Sequence, residues 1–353
     1  MKKYKFISVL TIFILVPLFM FAGNEDRVGE AGASELLINP FPRSAGWGLA
    51  NMSQVSGFEA VYLNPAGIAF TNKIDVAFAN TQWLKGSGVT VNAFGFSAKI
   101  GKQKNSVLAL GVMTMSFGDI MITTVDKPEG GIGYYTPNFL NVTASFAHSF
   151  SSSIHVGASV KIVNEAIADL NATGVAIDAG IQYIPSSNEN IRLGIALRNI
   201  GPALRFSGDG FSFRGNVFGS DMTMTLEHRS EKFELPTQLL ISAGYIFHLQ
   251  EDVEDHLLSI GGSFISNAFS RDQFALGLEY NFKNIFMVRG SYCYEKGITS
   301  TDDRATAYTG PAFGATVQAP LNKEKSSFLG FEYSYRISDP FQGTHQIGVK
   351  LML

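Results

Sequence analysis

Several shortages narrow what this chain can be. Only 16% of the 353 residues are charged and the net charge is −3, a balance that excludes nucleic acid as a partner. A single cysteine, Cys293, excludes an internal disulfide. Flanked by Tyr292 and Tyr294 in a strand pattern, it reads as an inert wall residue, and no lipid-anchoring cysteine follows the N-terminal segment. The histidines His148, His155, His228, His248, His256 and His345 are scattered without metal-ligand spacing, so neither metal nor cofactor is expected. The acidic group Glu251, Asp252, Glu254 and Asp255 lacks the glycine and spacing of a calcium loop and reads as a solvated turn. Gly46-Trp47-Gly48 lacks the third glycine and the strand-to-helix setting of a dinucleotide fingerprint. No long helical period occurs.

What is present begins at the N-terminus. Lys2, Lys3 and Lys5 precede an apolar run from Phe6 to Phe21, followed by the small residues Ala22 and Gly23. That order predicts a secretory signal peptide over residues 1–23. As a spanning helix the run would be shorter than the roughly 20 residues a bilayer needs, and Pro17 interrupts it.

From Ile74 to Leu353 the chain breaks into about fourteen segments of roughly 8–12 residues, with apolar side chains on every second position. In one of them Leu140, Val142, Ala144, Phe146, His148 and Phe150 alternate with Asn141, Thr143, Ser145, Ala147 and Ser149. A soluble sandwich alternates too, but it has no reason to sort its loops. Here the links after even segments are short (101–105, 151–153, 185–190, 249–255, 283–284, 319–327), whereas those after odd segments include 118–138, 200–235 and 295–311. Short periplasmic turns and longer outer loops are the outer-membrane pattern. The expected fold is therefore all-β: a transmembrane outer-membrane β-barrel of about 14 antiparallel strands over residues 74–353, in the cell outer membrane.

With that register, Ile191, Leu193, Ile195 and Leu197 face lipid, while Asp178, Arg192, Arg198, Glu279, Arg289, Glu332 and Arg336 face the lumen. A lipid-facing arginine at mid-membrane would cost roughly 2–4 kcal/mol, so this sorting is a physical requirement. Mixed signs inside read first as ion pairs bracing neighbouring strands, with a selective ion pathway as the alternative. Tyr245, Phe247, Tyr280, Phe282, Tyr292 and Tyr294 fall near strand ends, where aromatic girdles sit.

Residues 24–73 do not alternate and are expected to plug the barrel. Residues 30–37 predict a short helix ended by Pro40 and Pro42. Asn64-Pro65-Ala66-Gly67 predicts a turn in which Gly67 takes positive φ. The third strand, Ser106 to Phe117, is apolar on both faces, so either the plug covers it or it lines a ligand space. Gly111, Gly244 and Gly290 mark places where strands kink and open.

Arg43-Ser44-Ala45-Gly46-x-Gly48 followed by Asn64-Pro65-Ala66-Gly67 resembles the N-terminal signature of the PorV/PorQ family, within the FadL-like group of outer-membrane proteins. Leu197-Arg198-Asn199-Ile200-Gly201-Pro202 and Leu235-Pro236-Thr237-Gln238 agree with it. The resemblance implies a 14-stranded barrel with an N-terminal segment in its lumen, and it makes Arg43, Gly46, Gly48, Asn64, Pro65, Ala66 and Gly67 the plug motif. It also implies a non-enzymatic accessory of type IX protein secretion or cell-surface attachment that binds the translocon, the attachment complex or cargo signal domains. FadL-like transport of a hydrophobic small molecule and a structural barrel are the alternatives. The expected partners are outer-membrane lipid, proteins of the secretion machinery or its cargo, and a hydrophobic ligand on the transport reading.

Partner recognition belongs at the rims. The loop from Ile200 to Leu235 carries Phe206, Phe211, Phe213 and Phe218 among Gly and Ser, which either meet a partner or fold back over the lumen. Catalysis is not expected, because His148 has Ser145 and Ser149 on the opposite face of its strand.

Overall fold

A computed structural model of the chain describes residue 23 and residues 25–216, 219, 222–250, 255–322 and 327–353. The signal peptide proposed for residues 1–23 lies outside the described residues except for Gly23, as do Phe218 and the acidic residues Glu251, Asp252 and Glu254.

Fourteen antiparallel strands close into a barrel in sequential order, with the last paired to the first. They are β1 (Ile74–Trp83), β2 (Val89–Ile100), β3 (Ser106–Ser116), β4 (Asn138–Ser149), β5 (Ile154–Ile167), β6 (Leu170–Tyr183) and β7 (Ile191–Ile200). After a long loop come β8 (Gln238–His248), β9 (His256–Asn267), β10 (Gln273–Phe282), β11 (Phe286–Glu295), β12 (Tyr308–Pro320), β13 (Phe328–Ser338) and β14 (Thr344–Met352). Closure leaves no wall strand without a neighbour, which is what a membrane demands of a sheet. Among the described residues no helix is long and apolar enough to cross a membrane.

The dyad pattern sets the faces. Leu276, Phe331 and Ile347 stand outward and exposed, while Asp178, Arg198, Glu279, Arg289 and Glu332 point inward and are buried. Arg192 and Arg336 are half-buried.

The mid-barrel is filled by the N-terminal segment, whose Trp47, Met52, Phe58, Leu63 and Ile68 are fully buried. On β3 the inward Val107, Ala109, Met113 and Met115 join the same apolar core as Phe58 and Leu63. The double-sided apolar strand is therefore covered by plug.

Three local expectations need correction. Instead of a helix over 30–37, only Ser34–Leu37 forms a 3-10 turn, and Pro42 opens a one-turn α-helix, Pro42–Gly46, rather than ending one. Its missing N–H costs nothing at the first helical position. Asn64 does accept from the Ala66 N–H at 3.1 Å, but it caps a 3-10 helix, Pro65–Phe70, in which Gly67 is not at positive φ. Gly67 is required by close approach, since a Cβ there would overlap the Val55 carbonyl. Nor do Gly111, Gly244 and Gly290 open the wall, as the ladders run through all three. Gly111 leaves room for the Phe58 ring and Gly244 for the Gln54 amide.

Candidate functional site

Two polar clusters pin the plug to the wall. At the first, the one-turn helix brings Arg43 and Trp47 against Glu279 of β10. Arg43 Nη2 donates to Glu279 Oε1 at 2.9 Å and Trp47 Nε1 donates to Oε2 at 3.1 Å. Across the strand pair, Arg289 Nε reaches Oε2 at 2.9 Å and its Nη2 bonds Thr316 Oγ1. Glu279 thus balances two guanidinium groups in a site from which water is largely removed. Gly46 and Gly48 let the backbone come this close, because a Cβ on Gly46 would press on Gly314 and Arg289, and Gly48 sits at φ +55° against Ser291.

The second cluster lies where the register between β6 and β7 shifts. Ile177 pairs with Ile200 and Ala179 with Leu197, so Arg198 and Asn199 together oppose Asp178 in a bulge. Asn199 takes φ +59°, and its N–H donates to Asp178 Oδ1 at 2.8 Å. Lys161 Nζ bonds Asn199 Oδ1 at 2.9 Å and pairs with Asp178 Oδ2 at 2.5 Å. Asn199 Nδ2 donates to the Pro236 carbonyl at 3.1 Å and Thr237 Oγ1 to the Asn199 carbonyl at 3.0 Å. The stretches 197–202 and 235–238 are therefore one structure. Arg198 then ties it to the plug, donating to the Leu36 carbonyl at 3.1 Å and to Gln238 Oε1 at 3.3 Å.

Beyond the bulge, the first residues of β6 have no β7 partner. Loop residues 201–237 stand in, through a bridge between Asn171 and Ser207 and an apolar patch of Ala33, Leu36, Val163, Ala176, Leu204 and Leu235. Beside this patch Glu35 is buried, and Asn141 Nδ2 donates to its Oε1 at 3.4 Å. Burial, then the nearby Glu165 carboxylate, hold the Glu35 carboxyl above the ordinary acid range.

The outer loop splits the four phenylalanines. Phe206 packs on Phe233 with ring centres 5.6 Å apart, inside the loop. Phe211 is half-buried at the base of a hairpin formed by Ser212–Asn216 and Thr223–Glu227. Phe213 is exposed on that hairpin and stacks on His228 at 4.4 Å, with Met222 and Met224 exposed nearby. Among the described residues the hairpin strands pair only with each other, so each keeps an outer edge open.

Of the lumen charges read from the sequence, Asp178, Glu279 and Arg289 are committed to ion pairs. Arg336 lies 3.8 Å over the Tyr308 ring. Lys161, the partner of Asp178, was not legible as a site residue, although its place on the inward face of an apolar strand is the signal that marks it. His148 meets Ser106 on the neighbouring strand at 2.8 Å, and His155 meets Ser149 at 2.8 Å. These cross-strand pairs escape a search along one strand. His155 Nε2 lies 3.3 Å from the Ser152 carbonyl, and no carboxylate contacts either imidazole among the described residues.

The fold resembles solved structures at low identity. A CymD monoaromatic hydrocarbon channel superposes with TM-score 0.51 at 13% identity, covering 89% of this chain and 97% of that one. The Pseudomonas putida toluene transporter TodX gives 0.49 at 13% identity, covering 86% and 96%. A Pseudomonas aeruginosa FadL homologue gives 0.47 at 12% identity, covering 87% and 96%. No curated protein matches the chain. The family model for the type IX secretion system membrane protein PorP/SprF matches residues 50–351, nearly the whole barrel and the C-terminal half of its plug, and the chain belongs to that family.

Proposed function

We propose that this protein is a non-enzymatic outer-membrane accessory of type IX secretion or surface attachment, working as PorV/PorQ-like barrels do by binding the translocon, the attachment complex or cargo signal domains. One contrast carries the reading: the mid-barrel is filled by a plug pinned through buried ion pairs, while a hairpin with open strand edges and exposed Phe213, Met222 and Met224 stands in the outer loop. Such an element suits protein contact by added strand pairing and apolar anchors. Removing Gly208 to Gly219 alone would leave Thr223–Glu227 unpaired, so the cleaner test deletes residues 209–229, between a pair of loop residues already joined by the Ser230 hydroxyl bond to Phe206. Affinity capture from the outer membrane should lose secretion-machinery or cargo proteins in the deletion while the barrel keeps its heat-modifiable gel mobility. An unchanged partner set refutes the proposal.

A second reading is transport of a hydrophobic molecule. The observation that favours it is the apolar patch at the unpaired start of β6, a stretch of wall completed by loop instead of strand. It predicts lipid or hydrocarbon co-purifying with the barrel and loss of uptake when Leu204 is made charged.

A further inference from the structure

The plug does not reach the periplasmic end uniformly. Between it and the barrel lies a cavity of about 310 Å³, at the end that carries the short links: Arg192 follows the 184–190 turn, Ile246 lies near the end of β8 and Leu257 at the start of β9, and Asn281 precedes the 283–285 turn. Its volume is at the low end for a ligand pocket, enough for a chain end and too small for a folded segment.

The lining has two unmet demands. Arg192 makes no hydrogen bond or ion pair among the described residues, and Glu189, on the turn, is the acid whose field reaches it. Glu279, also in the lining, is already taken by Arg43, Arg289 and Trp47. Asn51 donates through Nδ2 to Ser44, but its Oδ1 is buried without a partner. An unpaired guanidinium asks for an anion, and an unpaired buried amide oxygen asks for an N–H.

We propose that this vestibule receives the free carboxyl terminus of an extended periplasmic polypeptide, with Arg192 taking the carboxylate and Asn51 Oδ1 accepting a backbone N–H. Ser53 and Gln54 already bond Ser242 and the Ile260 carbonyl, whereas the Ser56 and Ser259 hydroxyls in the same lining suit peptide groups; Phe70, Ile246 and Leu257 offer apolar surface to side chains.

Trp47 lines the cavity, and Trp83 is the second of two tryptophans in the chain, so full-length protein in detergent with Trp83→Phe reports on the site by fluorescence. Titration with acetyl-Ala-Leu-Leu bearing a free carboxylate should change Trp47 emission saturably and more weakly as salt rises. Its C-terminal amide and hexanoate should bind at least tenfold more weakly, and Arg192→Gln should erase the advantage of the acid while Arg192→Lys keeps part of it. Equal binding of acid and amide, or salt-independent binding, overturns the proposal without reference to any variant. Hexanoate binding as well as the peptide overturns the peptide and leaves a small-carboxylate site. An unchanged acid preference in Arg192→Gln, with normal heat-modifiable mobility, removes Arg192 from it.

Discussion

Replacing Phe58 with Ala should release the plug and leave the barrel closed. The ring is fully buried, contacts Phe41 and Tyr62 with centre distances of 5.6 and 6.3 Å, and lies over the glycines of β2 and β3, where a Cβ at Gly111 would come within 2.7 Å of it. Truncating a fully buried Phe costs about 3–5 kcal/mol, transfer and cavity terms together. The wall ladders do not use that side chain, so the loss falls on plug docking. At about 1.4 kcal/mol per tenfold, the undocked plug should become roughly a hundred- to several-thousandfold more populated. Hydrogen exchange of residues 36–70 in detergent reads this directly, with β1–β14 amides as the internal control. A second substitution tests the geometry. A Cβ at Gly111 would have the Phe58 ring as its nearest neighbour and the Tyr62 hydroxyl next, at 3.4 Å, so Gly111→Ala should loosen the plug in the parent and do so far less once Phe58 is Ala. Unchanged exchange in Phe58→Ala, or full additivity of the two changes, would refute the packing argument.

Two further outcomes follow from the pinned plug. Glu279→Gln leaves Arg289 buried without its counter-charge and weakens Arg43, so barrel unfolding followed by heat-modifiable mobility should shift by the equivalent of about 3–5 kcal/mol, far beyond any lipid-facing conservative change. Because burial and Glu165 raise the Glu35 carboxyl above its usual 4.5, the folded state holds a proton that the released segment gives up. Plug stability should therefore be greatest in acid and fall as pH rises past 4.5 until Glu35 ionises in place; Glu35→Gln should flatten that slope in pH-dependent exchange.

The barrel was legible because lipid is an unforgiving solvent: an inward Arg198 beside an outward Leu197 admits one register, and each short turn then numbers the strands. The plug was legible only as a place where alternation stops. Its 3-10 turns have no period to read, and Pro42, a breaker by rule, sits at a helix start. Glycines that read as hinges proved to be seats for Phe58 and Gln54, a distinction that depends on partners distant in sequence. Dyad alternation speaks to the face on which a charge sits and not to its partner: Arg43 meets Glu279 across 236 positions, and no local spacing predicts that pair. Likewise the bulge at Asn199 joins the stretches 197–202 and 235–238, which are distant in sequence and bond to one another.

The most direct measurement places a photo-reactive side chain at Phe213 on the outer hairpin and, as a control, at Leu276 on the lipid face, followed by irradiation of intact cells and identification of adducts. The account predicts that Phe213 captures a component or cargo of the secretion machinery, while Leu276 captures lipid. Protein adducts absent from Phe213, with hydrophobic small molecules recovered beside Leu204 instead, would contradict it.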